Sequence, residues 1–374
     1  MIPAPLPSVW LLPSSFHPHS GGVEELTLQL AQELGRLGHA VLVVTNRHPL
    51  DLPPEDVVEG VSVVRVPFPA PSLAAGAVLR LPADFAGVAK VLMRVKPHPD
   101  LLHVQCPSTQ LPAAVLVARL RRAPLVVTTQ GEVAMDADQI YQRSLYLRTS
   151  LKVGSRLACT LTACSRWAAD EAADVAARFR LAEVIPNGID PDQWEVTPLP
   201  NAPIVAAWGR HVHQKGFDLL IQAWPDVRRS IAGAQLLIGG AGPETEGLKR
   251  LAGDGVTFLG QLNRAGVARL LAESRVVVVP SRLEPFGIVA LEAMACGRGV
   301  VWSNRGGLAS ATGGIGWPVD PENRAALSAA ITESLRAEPE VERGRHHAEL
   351  HSWHRLAGRY RDVYERCLMT GTVR

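Results

Sequence analysis

Residues 275–297 read RVVVVPSRLEPFGIVALEAMACG and carry the strongest evidence for the fold. The run of valines predicts a short buried strand that ends at Pro280–Ser281. Glu284 precedes Pro285, and a residue before proline is disfavoured in a helix. Proline itself suits the first turn of the helix that follows. The small and apolar residues beyond it predict a helix over 287–296. A buried strand, a polar loop and a helix in this order are typical of a parallel α/β sheet.

The same alternation extends in both directions from this stretch. In the second half, further strands are predicted at 204–209, 234–240, 256–260 and 299–303, and further helices at 216–230, 243–253, 264–273 and 322–336. In the first half, strands are predicted at 8–13, 40–45, 61–67, 100–105, 124–130, 158–164 and 182–187, with a helix from about Val23 to Leu37. Strands that alternate with helices imply two doubly wound parallel sheets.

A Pro-rich polar segment at 188–203 separates the two patterns and predicts a linker. We therefore expect an N-terminal Rossmann-like domain over 1–187, a second one over 188–356, and a last helix over 357–374 that returns to the first. Ligands of open α/β sheets bind at the carboxyl ends of the strands, so we expect the site in a cleft between two facing domains.

Composition excludes several classes of protein. The formal net charge is +2, with one excess basic residue in each half, which argues against a nucleic-acid binder and against a polybasic membrane face. The five cysteines have no C-x-x-C spacing and predict reduced thiols in a cytoplasmic protein. The N-terminus has no basic region typical of a signal peptide, and no apolar run approaches the roughly 20 residues of a membrane span.

Two glutamates, Glu284 and Glu292, lie eight residues apart around the predicted helix start. Their spacing lets them line different parts of one elongated ligand. The backbone N–H groups of Phe286, Gly287 and Ile288 would be free at the helix N-terminus, where they suit an anion or a hydroxyl. The alternative is a solvated helix that carries two surface glutamates.

A second motif, WGRHVHQKG (208–216), places two cations on one loop after a strand. Arg210 and Lys215 suit a diphosphate, with Arg as a bidentate clamp and Lys as a point charge; the alternative is two exposed loop cations. Gly21 and Gly22 precede the first helix and would let backbone approach a phosphate, although a plain turn has the same pattern. The H-x-H pairs lack a third ligand, so we expect no metal site.

These motifs together resemble family 4 glycosyltransferases, which have the GT-B fold, and the resemblance covers essentially the whole chain. It implies a retaining, metal-independent hexosyltransferase that uses a nucleoside-diphosphate sugar as co-substrate, UDP-linked as a family-level expectation, and no other cofactor. Arg210 and Lys215 would hold the diphosphate and stabilise the leaving group. Donor contacts would extend over Gly21, Gly22, Arg264, Glu284, Phe286, Gly287, Ile288 and Glu292, with Glu284 also catalytic.

One position departs from the family pattern. Many relatives have a histidine after the strand that corresponds to 124–130, where this chain has Gln130, and Gln cannot act as a general acid or base. His103 could face the ligand instead, or it could be a satisfied core histidine. Glu132, Asp136 and Asp138 follow Gln130, and three acids there would attract a cationic acceptor.

We therefore expect a small aminocyclitol acceptor of natural-product biosynthesis, with a lipid or cell-envelope glycan as the main alternative and a solvated acidic loop as the simplest explanation of the acids. A sugar-nucleotide epimerase on the same scaffold and a non-catalytic nucleotide-sugar binding protein are the other hypotheses. We expect small-molecule partners, no nucleic acid, no stable membrane insertion, and a monomer or homodimer.

Overall fold

The computed structural model describes residues 6–19, 21–69, 85, 87–135 and 140–370, and it divides the chain into two compact units. The first comprises Met1–Ile185 and Trp353–Arg374, and the second comprises Pro186–Ser352. The change of unit falls two residues before the expected end at 187. The last segment begins four residues before the expected 357.

The first unit is built on an eight-stranded sheet in the order β3-β4-β2-β1-β5-β6-β7-β8. Its strands are β1 (Ser8–Pro13), β2 (Ala40–Asn46), β3 (Glu55–Val58), β4 (Val61–Val66), β5 (Leu101–Gln105), β6 (Leu125–Thr129), β7 (Thr160–Ala163) and β8 (Glu183–Val184). Among the strands that the structure describes in this unit, only β3 and β4 pair in antiparallel fashion. The central strands are buried along their whole length because helices cover both faces of a parallel sheet.

The second unit has six parallel strands in the order β11-β10-β9-β12-β13-β14. They are β9 (Ile204–Trp208), β10 (Gln235–Gly239), β11 (Val256–Gly260), β12 (Val276–Val279), β13 (Gly299–Ser303) and β14 (Trp317–Val319). In chain order within the unit this is 3-2-1-4-5-6, the order of dinucleotide-binding folds. The strand order reverses between β9 and β12, where such sheets bind ligands. The expectation of two parallel α/β domains is confirmed.

Helices connect the strands in both units. Those of the first unit are α1 (Gly22–Arg36), α2 (Leu111–Arg121), α3 (Ile140–Arg143), α4 (Leu145–Leu157), α5 (Arg166–Val175) and, after the second unit, α13 (Trp353–Thr370). Those of the second unit are α6 (Phe217–Ser230), α7 (Thr245–Leu251), α8 (Arg264–Glu273), α9 (Ile288–Ala295), α10 (Leu308–Thr312), α11 (Arg324–Arg336) and α12 (Val341–Leu350). None of these helices combines the length and the apolarity that crossing a bilayer requires.

Several elements were not predicted from the sequence, among them β3, β14 and α12. The polar edge strand β3 alternates exposed and half-buried residues, so it has no apolar run to detect. The short β14 contains Pro318, which is tolerated because the strand lies at the sheet edge. Helix α12 is strongly polar, and only Gly344 and Ala348 are buried in it.

The last helix, α13, belongs to the first unit. Its buried side chains recur at helical spacing and include Leu356, Tyr360, Val363 and Tyr364. The Tyr364 hydroxyl lies 2.6 Å from Nδ1 of His103 on β5. Segments from both ends of the chain therefore complete one core.

Candidate active site

Two loops meet at the reversal point of the second sheet. The first follows β9 over residues 209–216, and the second follows β12 over residues 280–287. Because β9 and β12 are paired and parallel, their carboxyl ends lie side by side. Both strongest sequence motifs are therefore on neighbouring loops.

Lys215 and Glu284 form an ion pair across these loops. The Lys215 ammonium donates to Glu284 at 2.6 Å, and the Ser281 hydroxyl donates to the same carboxylate oxygen at 3.2 Å. The Glu284 side chain is 9% exposed and that of Lys215 is 23% exposed. The structure thus brings two predicted catalytic residues, 69 positions apart, into contact.

Arg282, which the sequence analysis did not single out, fastens one loop to the other. Its guanidinium pairs with both carboxylate oxygens of Asp218 at 2.7 and 2.6 Å. The backbone N–H groups of Arg282 and Leu283 donate to the Gln214 carbonyl at 2.8 and 3.2 Å. Burial alone would raise the pKa of Asp218, but hydrogen bonds and charge from Arg282 outweigh burial and lower it. Arg282 lies two residues before Glu284, and this position was the signal from which a role at the site could have been predicted. Its partner on α6, Asp218, could not be identified from the sequence.

Two glycines allow the loops to approach closely. Gly216 has a φ of 66°, and a Cβ there would overlap the Pro280 carbonyl oxygen. Gly287 has a φ of 107°, and a Cβ there would overlap the Leu308 side chain. Gly287 is also the N-cap residue of α9. The backbone N–H groups of the first turn of α9 therefore point out of the helix start, beside Glu284 and the buried Phe286.

Three further predicted donor residues lie on loops and helices of the second unit. Arg210 is exposed on the β9 loop, and Glu292 is half-buried in the second turn of α9. Arg264 begins α8 after β11, two strands from β9, and its side chain contacts Gln193. Lys215 and Glu284 touch directly, while Arg210 shares the loop of Lys215, and Glu292 and Arg264 lie on α9 and α8.

The turn after β10 packs against the backbone of the β9 loop. A Cβ on Gly240 would overlap the Gly209 carbonyl oxygen, and one on Gly242 would overlap that of His211. The His211 ring is fully buried and contacts Thr245 Oγ1 at 2.9 Å, and burial lowers its pKa. His211 is thus a core histidine, although it lies within the β9 loop.

Polar groups also gather at the β1–β5 reversal point of the first sheet. Gly21 and Gly22 open α1, and the Gly21 Cα faces the Glu24 carboxylate, which a Cβ would approach to 2.6 Å. Cys106, directly after β5, has a φ of 54° and hydrogen-bonds to Ser14 and Glu132. Cys106 and Ser14 were missed, although each directly follows a predicted strand.

Glu132 does not behave as a freely charged surface acid. It is half-buried and accepts from the Gln130 backbone N–H at 2.7 Å. Burial raises its pKa to about 7, and hydrogen bonds from Gln130, Thr129 and Cys106 oppose that rise. This corrects the expectation of three acids with full charge. Asp136 and Asp138 lie outside the described residues.

His103 is a core histidine. Its ring is fully buried, with Nε2 2.6 Å from Thr128 Oγ1 and Nδ1 held by Tyr364, and burial lowers its pKa to about 3. Of the two interpretations, the structure supports the satisfied core residue and corrects the one in which the ring faces an acceptor. Gln130 connects to this core, because its amide donates to Gln105 at 3.1 Å.

Within the described residues there is no group of three or more His, Cys, Asp or Glu side chains that could hold a metal ion.

Comparison with known proteins agrees with this architecture. A model described as "Glycosyltransferase Family 4" matches residues 20–193, and one described as "Glycosyl transferases group 1" matches residues 202–337. A phosphatidyl-myo-inositol mannosyltransferase of Mycobacterium leprae is 29% identical over 94% of this chain and 95% of its own. A glycogen synthase of Mycobacterium tuberculosis is 36% identical over 41% of this chain and 39% of its own.

Solved structures share the fold at lower identity. A sucrose-phosphate synthase from Thermosynechococcus elongatus has a TM-score of 0.76 at 24% identity, covering 97% of this chain and all of that one. Anabaena HepE, crystallised with UDP and glucose, has a TM-score of 0.74 at 19% identity over 96% of this chain and all of that one. The two matched models together span both units, and the chain therefore belongs to the family 4 glycosyltransferases of the GT-B fold.

Proposed function

We propose that this glycosyltransferase moves a hexosyl unit from a nucleoside-diphosphate sugar, UDP-linked by family expectation, to an acceptor hydroxyl with retention of configuration and without a metal ion. The observation that carries the proposal is the Lys215–Glu284 pair beside the α9 N-terminus at the strand reversal point. A cation, a buried carboxylate and free N–H groups at one point match a ligand that is anionic at one end and rich in hydroxyls at the other.

The two cations would stabilise the leaving group. Negative charge grows on the diphosphate as its bond to the anomeric carbon breaks. The flexible Lys215 stem lets the ammonium turn from Glu284 toward that charge, and exposed Arg210 adds a bidentate clamp. Two cations that meet the diphosphate would supply the stabilisation that a metal ion would otherwise provide.

Glu284 would hold the transferred sugar. The Glu284 carboxylate accepts a hydrogen bond from the Ser281 hydroxyl, which keeps it in place. The backbone carbonyl of Glu284 accepts from the Gly307 N–H at 2.7 Å. Hydroxyls of the sugar would donate to this carboxylate and accept from the N–H groups of Phe286, Gly287 and Ile288. Glu292, deeper in α9, would bind the ribose hydroxyls.

The donor is tested by thermal unfolding with UDP-, GDP- and ADP-hexoses, because a ligand that binds only the folded protein raises its melting temperature. We expect one nucleotide series to raise it, with and without chelator. Glu284→Gln should lower kcat by about 100-fold, as expected for a lost charged hydrogen bond in the transition state, with donor affinity changed far less. Glu246→Gln, on exposed α7, is the control.

Three results would contradict this proposal. The first is that no nucleotide sugar raises the melting temperature. The second is that a chelator abolishes turnover, and the third is that the product linkage has inverted configuration. Release of an altered sugar nucleotide without any acceptor would instead support the epimerase hypothesis. Donor binding without turnover on any acceptor would support a non-catalytic binding protein.

For the acceptor, we infer a lipid or cell-envelope molecule as the first candidate. A relative that matches nearly the full length of the chain is named a phosphatidyl-myo-inositol mannosyltransferase. The aminocyclitol candidate depends on Asp136 and on Glu132, whose charge burial suppresses. If it is correct, Asp136→Asn with Glu132→Gln raises the acceptor KM for a soluble aminocyclitol, and an unchanged KM rules it out.

A further inference from the structure

A patch of positive charge lies on α4 in the first unit. At 100° per residue, the side chains of six residues fall within one arc of about 140°. Those residues are Leu145, Arg148, Thr149, Lys152, Val153 and Arg156. We call this arc the α4 face. All six are exposed except Arg148, which is half-buried.

The α4 face has unpaired cations and exposed apolar side chains. The ion pairs of the first unit involve other residues, and none joins Arg148, Lys152 or Arg156 to a residue that the structure describes. No acid occurs between residues 140 and 158. Leu145 is 79% exposed and Val153 is 41% exposed. Exposed apolar side chains that lie on one face and are bordered by charged residues are typical of a surface that binds a partner or a membrane.

The opposite side of α4 fixes this face in place. Leu147, Leu151 and Gly154 are buried, and a Cβ on Gly154 would come within 2.7 Å of the Leu111 side chain. The Ser144 hydroxyl accepts from the Leu147 N–H at 3.3 Å and caps the helix. The face is therefore presented by a rigid element rather than by a loop.

A neighbouring turn enlarges the surface. The Arg178 guanidinium donates to the carbonyls of Ser155 and, at 2.7 Å, Ala158, which holds the turn over Ala177–Leu181 against the end of α4. That turn exposes Arg180 and Leu181, the latter by 85%. It adds one more cation and one more leucine.

We propose that the α4 face, with Arg180 and Leu181, binds the surface of a bilayer that contains anionic lipids. Cations attract the headgroups, and leucine and valine side chains enter the headgroup–acyl boundary, as in helices that lie in a membrane interface. A nucleic acid would neutralise the cations but would gain nothing from the exposed leucines. The inference extends the lipid-acceptor proposal above, since a lipid acceptor must be met at a bilayer surface.

The nearly zero net charge of the chain does not oppose this proposal. The formal charge of +2 averages over the whole molecule, whereas Debye screening limits attraction to charges within about 10 Å of the lipid. Acids on the adjacent α5, Asp170, Glu171 and Asp174, form no ion pair with the α4 cations. The local charge of the α4 face is thus not cancelled by pairing.

The test is co-sedimentation of the full chain with phosphatidylglycerol–phosphatidylcholine vesicles and with phosphatidylcholine vesicles. We expect binding to the anionic vesicles alone, weakened by salt. Lys152→Glu with Arg156→Glu should lower that affinity at least about tenfold, since each basic residue near an anionic surface contributes measurably to binding. Lys249→Glu with Arg250→Glu on exposed α7 changes the formal charge equally and should leave binding unchanged.

A second variant separates a bilayer from a soluble polyanion. Leu145→Ser should weaken vesicle binding and leave any binding of duplex DNA unchanged. The inference is overturned if the α4 and α7 variants bind vesicles equally, if phosphatidylcholine vesicles bind as well, or if DNA binds more tightly than anionic vesicles. Donor-induced rises in melting temperature, measured without vesicles, test the proposed function separately, so either idea can fail alone.

Discussion

Burial shifts the pKa values of two polar residues of the first unit, His103 and Glu132, in opposite directions. It lowers the pKa of the His103 imidazole to about 3 and raises the pKa of the Glu132 carboxyl to about 7. In both cases the neutral form is favoured, because removing a charge from water costs free energy. The His103 ring has a partner on both nitrogens, and Glu132 accepts on Oε2 from the Gln130 backbone N–H.

Glu132 therefore makes a pH-dependent contribution to stability. Its folded pKa lies above its value in the unfolded chain, so the contribution is fully present below about pH 4.5 and is lost as pH rises through 7. Glu132→Gln removes this dependence while keeping the neutral shape. We expect the stability of the variant, relative to wild type, to rise from pH 5 to pH 8 in urea unfolding. Parallel curves for the two proteins would contradict the raised pKa.

At the scale of elements, the site is made by loops that only glycine permits. The β9 loop ends at Gly216, against the backbone of Pro280, and the β12 loop ends at Gly287, against Leu308. These contacts set the separation at which the Lys215 ammonium reaches Glu284. Strands and helices place the loops, and the glycines let them close on each other.

Gly216→Ala should disrupt this closure. Its Cβ would overlap backbone, so we expect a loss of more than about 2 kcal/mol, beyond the 1–2 kcal/mol typical of a left-handed residue, together with weaker donor binding. Gly233→Ala is a matched control, because Gly233 has a similar φ of 74° and nothing within 4 Å of an added Cβ. Urea unfolding measures both variants, and equal losses would show that steric closure of the loop is unimportant.

At the scale of the whole molecule, the two units differ in how the chain completes them. The second is continuous over Pro186–Ser352, whereas the first needs α13, whose Tyr360 and Tyr364 are buried in it. Removing α13 would expose that apolar surface and leave His103 without its Tyr364 partner. The first unit thus depends on residues that follow the second unit in the sequence.

This difference predicts the behaviour of fragments. A fragment of residues 186–352 should unfold cooperatively on heating, because it retains all six strands of its sheet. A fragment of residues 1–185 should lack cooperative unfolding until a peptide of residues 353–374 is added. Circular dichroism melting curves test both, and a stable 1–185 fragment alone would contradict the role assigned to α13.

The sequence by itself determined the number of parallel sheets, most strand positions, and the two loops of the candidate site. These features can be predicted because apolar runs, glycines and prolines at turns, and helix-start signals are local properties of the chain. The edge strand β3 and the polar helix α12 were not predicted, since neither has an apolar pattern.

Only the tertiary structure decided which polar residues meet. Lys215 and Glu284 are far apart in sequence and 2.6 Å apart in space, and Arg282 acquires its role from Asp218 on another element. The same holds for His103 and Glu132, whose character depends on burial that a strand pattern does not specify. Hydrogen bonds and desolvation act between neighbours in space, and neighbours in space are set by the packing of whole sheets and helices.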